Sequence, residues 1–416
     1  MRLYFLKDLG SIVKSLGASS VSHALQFFGL IAVARVAGPE VLGGLFVFTS
    51  ISNALSAVLF GSMPLLILTS RTNFRATRYV LLNIQISTTL SVLATLCAVV
   101  VLPPSITYMA LTAVVAGSAA LLSGHIAQCV REKNESAAGI ASIRQAASVA
   151  LARVSIALVS PVTQAVVGAT AVASLAASVF VPVLLGAKRV GVGWAKVKRR
   201  LWLTRFGRKS VCEQFSFMAH QATHQAANTV GIALFVALFA NCFDLRSTGV
   251  LSISMLVSGL PAQVAGKVVG DRFLREYSGM IGSEPSEARR YLIASTIELF
   301  VAGGVAMTAA IGTFFLVGPA IFGVPWVDAQ NTLLPLAFWQ MLVFANPPSI
   351  RSLIARGVNR PLAILNGVTM ALRILSVVLG SQLTSADNTV MIFSLVGVVH
   401  NLVVFRLSCG ERGGHR

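Results

Sequence analysis

The sequence predicts an all-α polytopic membrane protein, with twelve transmembrane helices arranged as two six-helix bundles. Three observations carry that expectation. Of its 416 residues 55% are apolar and only 11% charged, and the mean hydropathy of +0.79 lies outside the range of water-soluble domains. Apolar runs of about 20 residues, the length of helix that crosses a hydrocarbon core of roughly 30 Å, recur along the whole chain. Basic residues collect in every second connection between those runs, as they do in cytoplasmic loops.

The runs cover 12–33, 41–69, 79–102, 105–128, 138–159 and 163–186, then 211–240, 247–269, 291–317, 331–350, 361–380 and 390–408. The first is read as a retained helix and not a cleaved leader, because Lys14 and a run of serines interrupt its apolar stretch. The fifth and seventh are the most polar. Pro64, Pro261 and Pro335 fall inside spans, where they read as kinks. With the N-terminus inside, all but six of the 33 basic residues lie in cytoplasmic segments. The six are Arg35 and Arg246 in outer turns and Lys14, Arg144, Arg153 and Arg373 within spans. Both termini are therefore expected in the cytoplasm. The net charge of +19 reads as loops lying on an anionic inner leaflet, with no nucleic-acid partner.

The longest basic segment divides the chain into an N-terminal bundle (1–186), a linker (187–210) and a C-terminal bundle (211–416). Trp194, Trp202 and Phe206 among its charges suit a segment lying amphipathically on the inner leaflet. Shifting the chain by 206 residues places Gly43 on Gly249, Ser15 on Gln221, Ser19 on Gln225 and Ser22 on Asn228. Polarity recurring at matching depths is what a duplicated bundle predicts. Six spans is an even number, so the repeats are parallel, related by an axis along the membrane normal.

Two polar stripes follow. Ser11, Ser15, Ser19, Ser22 and Gln26 fall within about 80° of one another on a helix, and Gln214, His220, Gln221, His224, Gln225 and Asn228 within about 140°. Such groups facing lipid would each cost several kcal/mol, so the stripes face each other across a hydrated cavity or bond helix to helix. His220 and His224, one turn apart, lack further ligands at metal spacing, and the five cysteines are scattered. Neither metal nor cofactor is expected.

Charges inside spans mark the bundle interior. Lys14, Arg144 and Arg153 lie near enough to span ends to snorkel, whereas Arg373 sits near mid-membrane. Glu298 is the one clearly intramembrane acid, a candidate for ion coupling and a possible partner for Arg373. Either Arg373 pairs with Glu298 or it contacts a substrate. Even if they pair, the remaining intramembrane balance is cationic and suggests an anionic ligand, with Arg373, Arg144, Lys14, Gln26, His220, Gln221, His224, Gln225 and Asn228 as the candidate binding set. No nucleophile elbow, phosphate loop or paired carboxylates occur, and an enzyme is not expected.

The segment "ARVAGPEVLGGL" (34–45) is similar to the turn between the first two helices of Wzx-like O-antigen and exopolysaccharide flippases, in the multidrug/oligosaccharidyl-lipid/polysaccharide (MOP) exporter superfamily. Arg35, Gly38, Pro39, Glu40 and Gly43 match the pattern A-R-x-L-G-P-E-x-[FY]-G, while Ala37 and Leu42 depart from it. A second segment, "GPAIFGVPWVDAQ" (318–330), resembles the family's turn before its tenth helix, with Gly323, Trp326 and Ala329 in register. The resemblance implies a V-shaped pair of bundles in a bacterial inner membrane. They would move an undecaprenyl-diphosphate-linked glycan outward by alternating access, in the company of a polymerase and glycosyltransferases. The motif residues would be structural or gating. A cation-coupled drug or metabolite antiporter of the same fold, and a non-transporting scaffold of a polysaccharide assembly complex, remain the alternatives.

Overall fold

The computed structural model describes residues 9–60, 64, 67, 79–80, 83, 85–87, 89, 104–131, 135–186, 227–281, 283–323 and 326–410. The protein is all-α and polytopic. The first helix, α1 (Leu9–Phe60), has 52 residues, about 78 Å at 1.5 Å per residue, more than twice a hydrocarbon core. It therefore makes two crossings, divided at Gly38, whose φ of 81° and ψ of 179° interrupt the helix just before Pro39. Only glycine adopts that φ without strain.

The rest of the first half comprises α2 (Pro104–Arg131), α3 (Glu135–Val159) and α4 (Thr163–Gly186). The second half continues with α5 (Ala227–Cys242) and α6 (Leu245–Met280), α7 (Pro285–Phe322), α8 (Ala329–Ala345), α9 (Pro347–Ala355), α10 (Asn359–Leu383) and α11 (Ala386–Cys409). Among the described residues, seven helices are long and apolar enough to cross a membrane. Their outward faces carry large aliphatic side chains such as Val305, 69% exposed, and Leu316, 85% exposed. Surface of that kind matches lipid and not water.

Two expectations about elements need correcting. The apolar run 331–350 is two helices, α8 and α9, parted at Asn346 where Pro347 starts the second. The run 247–269 underlies a helix that continues to Met280. Helix continues across Pro261 and Pro335. The run 79–102 and the linker lie largely or wholly outside the described residues.

Within the first half, α1 packs on α3 and α3 on α4, while in the second α8 is surrounded by α6, α7 and α11. The halves meet chiefly through α1 and α6. At that meeting a Cβ on Gly43 would overlap the carbonyl oxygen of Leu245 and come within 2.9 Å of the Gly249 nitrogen. A Cβ on Gly249 would overlap the carbonyl oxygen of Pro39 and lie 2.7 Å from its carbon. Leu245 and Gly249 stand 206 residues after Pro39 and Gly43. The crossing is thus reciprocal, each glycine meeting the backbone one turn before the other, as a two-fold axis between the helices requires.

Beside the crossing lies a buried apolar cluster drawn from both halves, including Val41, Leu45 and Phe48 with Ile253, Phe322 and Trp326. At that same end Arg35 Nη1 donates to the carbonyl oxygens of Ala320 at 2.9 Å and Ile321 at 3.1 Å, among the carbonyls that a helix terminus leaves without intrahelical partners. The two sequence motifs, nearly 300 residues apart, therefore pack against each other. Gly323 ends α7 with a φ of 98°, and Trp326 behind it is buried. Glu40 is exposed.

Candidate functional site

A cavity of about 460 Å³ lies between the halves, walled by α1, α2, α3 and α4 on one side and α5, α6 and α8 on the other. Its volume is in the usual range for small-ligand sites. Along the second crossing of α1 its wall runs from Leu42 to Asn53, so it extends about 15 Å from the glycine crossing at a helical rise of 1.5 Å per residue. The 206-residue shift relates its walls: His23, Gln26 and Phe27 line one, and Thr229, Ile232 and Ala233 the other. Phe46, Thr49 and Ser50 correspond likewise to Ser252, Met255 and Leu256.

The lining is rich in amides, with Gln26 and Gln145 on the first wall and Gln263 and Gln340 on the second. Among the described residues it holds one guanidinium, Arg153, and no carboxylate. Arg153 is 8% exposed. Its Nε donates to Thr170 Oγ1 at 3.1 Å, and the Thr170 hydroxyl donates in turn to the Val166 carbonyl at 2.8 Å. Among the described residues no ion pair involves Arg153.

Arg373 is placed differently. It is 1% exposed and lies outside the cavity lining. Its guanidinium carbon sits 5.3 Å from the ring centroids of both Trp339 and Phe393, and Nη1 donates to Asn228 Oδ1 at 2.8 Å. Trp339 itself lines the cavity. No ion pair among the described residues joins Arg373 to Glu298, which is buried on α7 away from the lining. The expected alternatives for Arg373, a bridge to Glu298 or an open face to substrate, thus give way to a cage of two rings and one amide. Rings and an amide disperse the buried charge without a counter-ion.

Of the other candidates, Gln26 lines the cavity, Asn228 is exposed at the start of α5, and Arg144 is exposed on α3 outside the lining. Lys14 falls in the first turns of α1, its side chain outside what the structure describes. His220, Gln221, His224 and Gln225 lie outside the described residues. Sequence reasoning named Arg153 as an in-span cation but left it out of the binding set, and it missed Gln145, Gln263 and Gln340. For Gln145 and Arg153 together a signal was present: Gln145, Val149 and Arg153 are spaced by fours and so share one face of α3.

No protein-family model matches the chain, and no curated protein sequence does. Solved structures do match its fold. A multidrug-resistance MATE-family transporter of the MOP superfamily, in an inward-facing conformation, superposes with a TM-score of 0.68 at 12% identity, covering 94% of this chain and 93% of that one. The lipid II flippase MurJ, in an inward closed conformation, gives a TM-score of 0.67 at 10% identity over 94% of this chain and 86% of that one. A MOP transporter from Pyrococcus furiosus, described as having a binding pocket of reverse polarity, gives 0.64 at 13% identity over 95% and 94%. The chain therefore has the fold of MOP-superfamily transporters.

Proposed function

We propose that this protein is a flippase that moves an undecaprenyl-diphosphate-linked oligosaccharide from the inner to the outer leaflet by alternating access, for the synthesis of a surface polysaccharide. The observation that carries the reading is the cavity between the halves: ligand-sized, lined by four glutamines, and without a carboxylate among the described residues. Amides and hydroxyls donate and accept hydrogen bonds as sugar hydroxyls require. A cation-coupled exporter needs an acid in its cavity, and Glu298 lies outside the lining. The likeness of fold to MurJ, a lipid flippase, supports the same class of cargo. The basic loops and linker lie on the cytoplasmic face of a bacterial inner membrane in this reading. A polymerase and glycosyltransferases are its expected partners.

The test is depletion in the native cell. Lipid-linked oligosaccharide should accumulate in the inner leaflet while surface polysaccharide falls, with drug susceptibility unchanged. Undiminished polysaccharide together with raised drug susceptibility would overturn the reading.

A further inference from the structure

Arg153 is a buried cation with no counter-ion among the described residues, in a cavity whose described lining offers none. Such a group needs water, an anion or an aromatic cage around it, and among the described residues no ring covers Arg153 as Trp339 and Phe393 cover Arg373. Its geometry goes further than its charge. The Thr170 hydroxyl has donated its proton to the Val166 carbonyl, so toward Arg153 it presents a lone pair, which Nε fills. That chain of two bonds fixes the plane of the guanidinium and uses its inner edge. The outer edge, formed by Nη1 and Nη2, takes no protein partner among the described residues, and the residue lines the cavity. Two parallel N–H groups held in a fixed plane match two oxygens of one phosphate.

Among the described residues the opposite wall has no such group. The counterpart helix α10 carries Arg373, but Trp339, Phe393 and Asn228 enclose it. The described residues of that wall are Gln263, Gln340, Trp339 and their neutral neighbours.

We infer that Arg153, held in plane by Thr170, is a phosphate-binding residue, and that the cavity seats its ligand asymmetrically. The anionic headgroup lies on α3 of the first half, and the neutral polar part lies toward the amides of the second. This rests on the flippase reading for the identity of the anion as a lipid-linked diphosphate; an anion site as such does not depend on it. Arg153 is the specificity-determining cation and Thr170 is a positioning residue.

The experiment measures binding to the purified full chain in nanodiscs, with three probes: farnesyl diphosphate, inorganic pyrophosphate and a neutral prenyl glycoside. For farnesyl diphosphate, Arg153→Gln should weaken binding by more than about tenfold, as loss of a charge-assisted pair of hydrogen bonds implies. Arg153→Lys should recover part of it, and Thr170→Val should weaken it about threefold or more with the charge retained. The neutral glycoside should bind all variants alike. Equal binding of farnesyl diphosphate by Arg153→Gln and the parent would overturn the assignment and leave the flippase reading untouched. Loss of the neutral glycoside in Arg153→Gln would overturn it too, marking a merely structural residue. A parent that binds pyrophosphate but not farnesyl diphosphate would keep the anion site and overturn the lipid-linked reading.

Discussion

Arg373 shows what a guanidinium needs when it is buried at 1% exposure with no acid beside it. Its plane lies near two aromatic faces, each such contact contributing about 0.5–2 kcal/mol, and one donor reaches Asn228 on another helix. An ammonium keeps the charge but cannot spread it over two rings. Arg373→Lys should therefore destabilise the protein by about 2–4 kcal/mol, read as a lowered thermal midpoint in detergent, while affinity for farnesyl diphosphate stays within about twofold of the parent. A large loss of affinity without loss of stability would put Arg373 back in contact with the ligand. The depth of Arg373 was legible in the sequence because depth is a count along one helix. Its surroundings were not, since Asn228, Trp339 and Phe393 come from three other helices. For Arg153 the same limit worked in reverse. Nearness to a span end suggested snorkelling, but the direction of the side chain, set by Thr170 on α4, turned it into the cavity.

Helices were legible to within a few residues wherever an apolar run ended in a turn: the run 163–186 is α4 itself. The run 331–350 failed because a hydropathy sum counts side chains and ignores backbone donors. Pro347 and Pro348 cannot supply the N–H groups that would carry α8 onward, and the chain restarts as α9. At the other end, the two family-like motifs were legible as turns, but not as partners. The bonds from Arg35 to the last carbonyls of α7 tie the first half to the second beside the glycine crossing. Removing them in Arg35→Ala should shift the population toward a form parted at this end. Spin labels on Val36→Cys and the native Cys242, both exposed and 206 residues apart, should report longer distances in a chain otherwise lacking cysteine. An unchanged distance distribution would mean the crossing alone holds this end shut.

Across the whole molecule the shift of 206 residues, faint as identity, relates the two contacts of the crossing and six pairs of residues that line the cavity. Polarity was the legible trace of the duplication, because a cavity demands polar residues on both walls. Close backbone approach left only two glycines as a sign, and glycine is too common here, at 34 residues, to stand out. The reciprocity has an energetic consequence. Gly43 and Gly249 guard two contacts between the same two helices, so a methyl at either one must push both contacts apart. A second methyl then enters space already opened. The double change Gly43→Ala with Gly249→Ala should cost less than the sum of the single changes, with a coupling energy of about 1–3 kcal/mol in equilibrium unfolding. Additive costs would mean that the helices yield independently at each site. Duplication is commonly taken to supply a spare copy of every part. Here duplication has done the opposite, doubling the number of positions at which a single substitution disables the same contact.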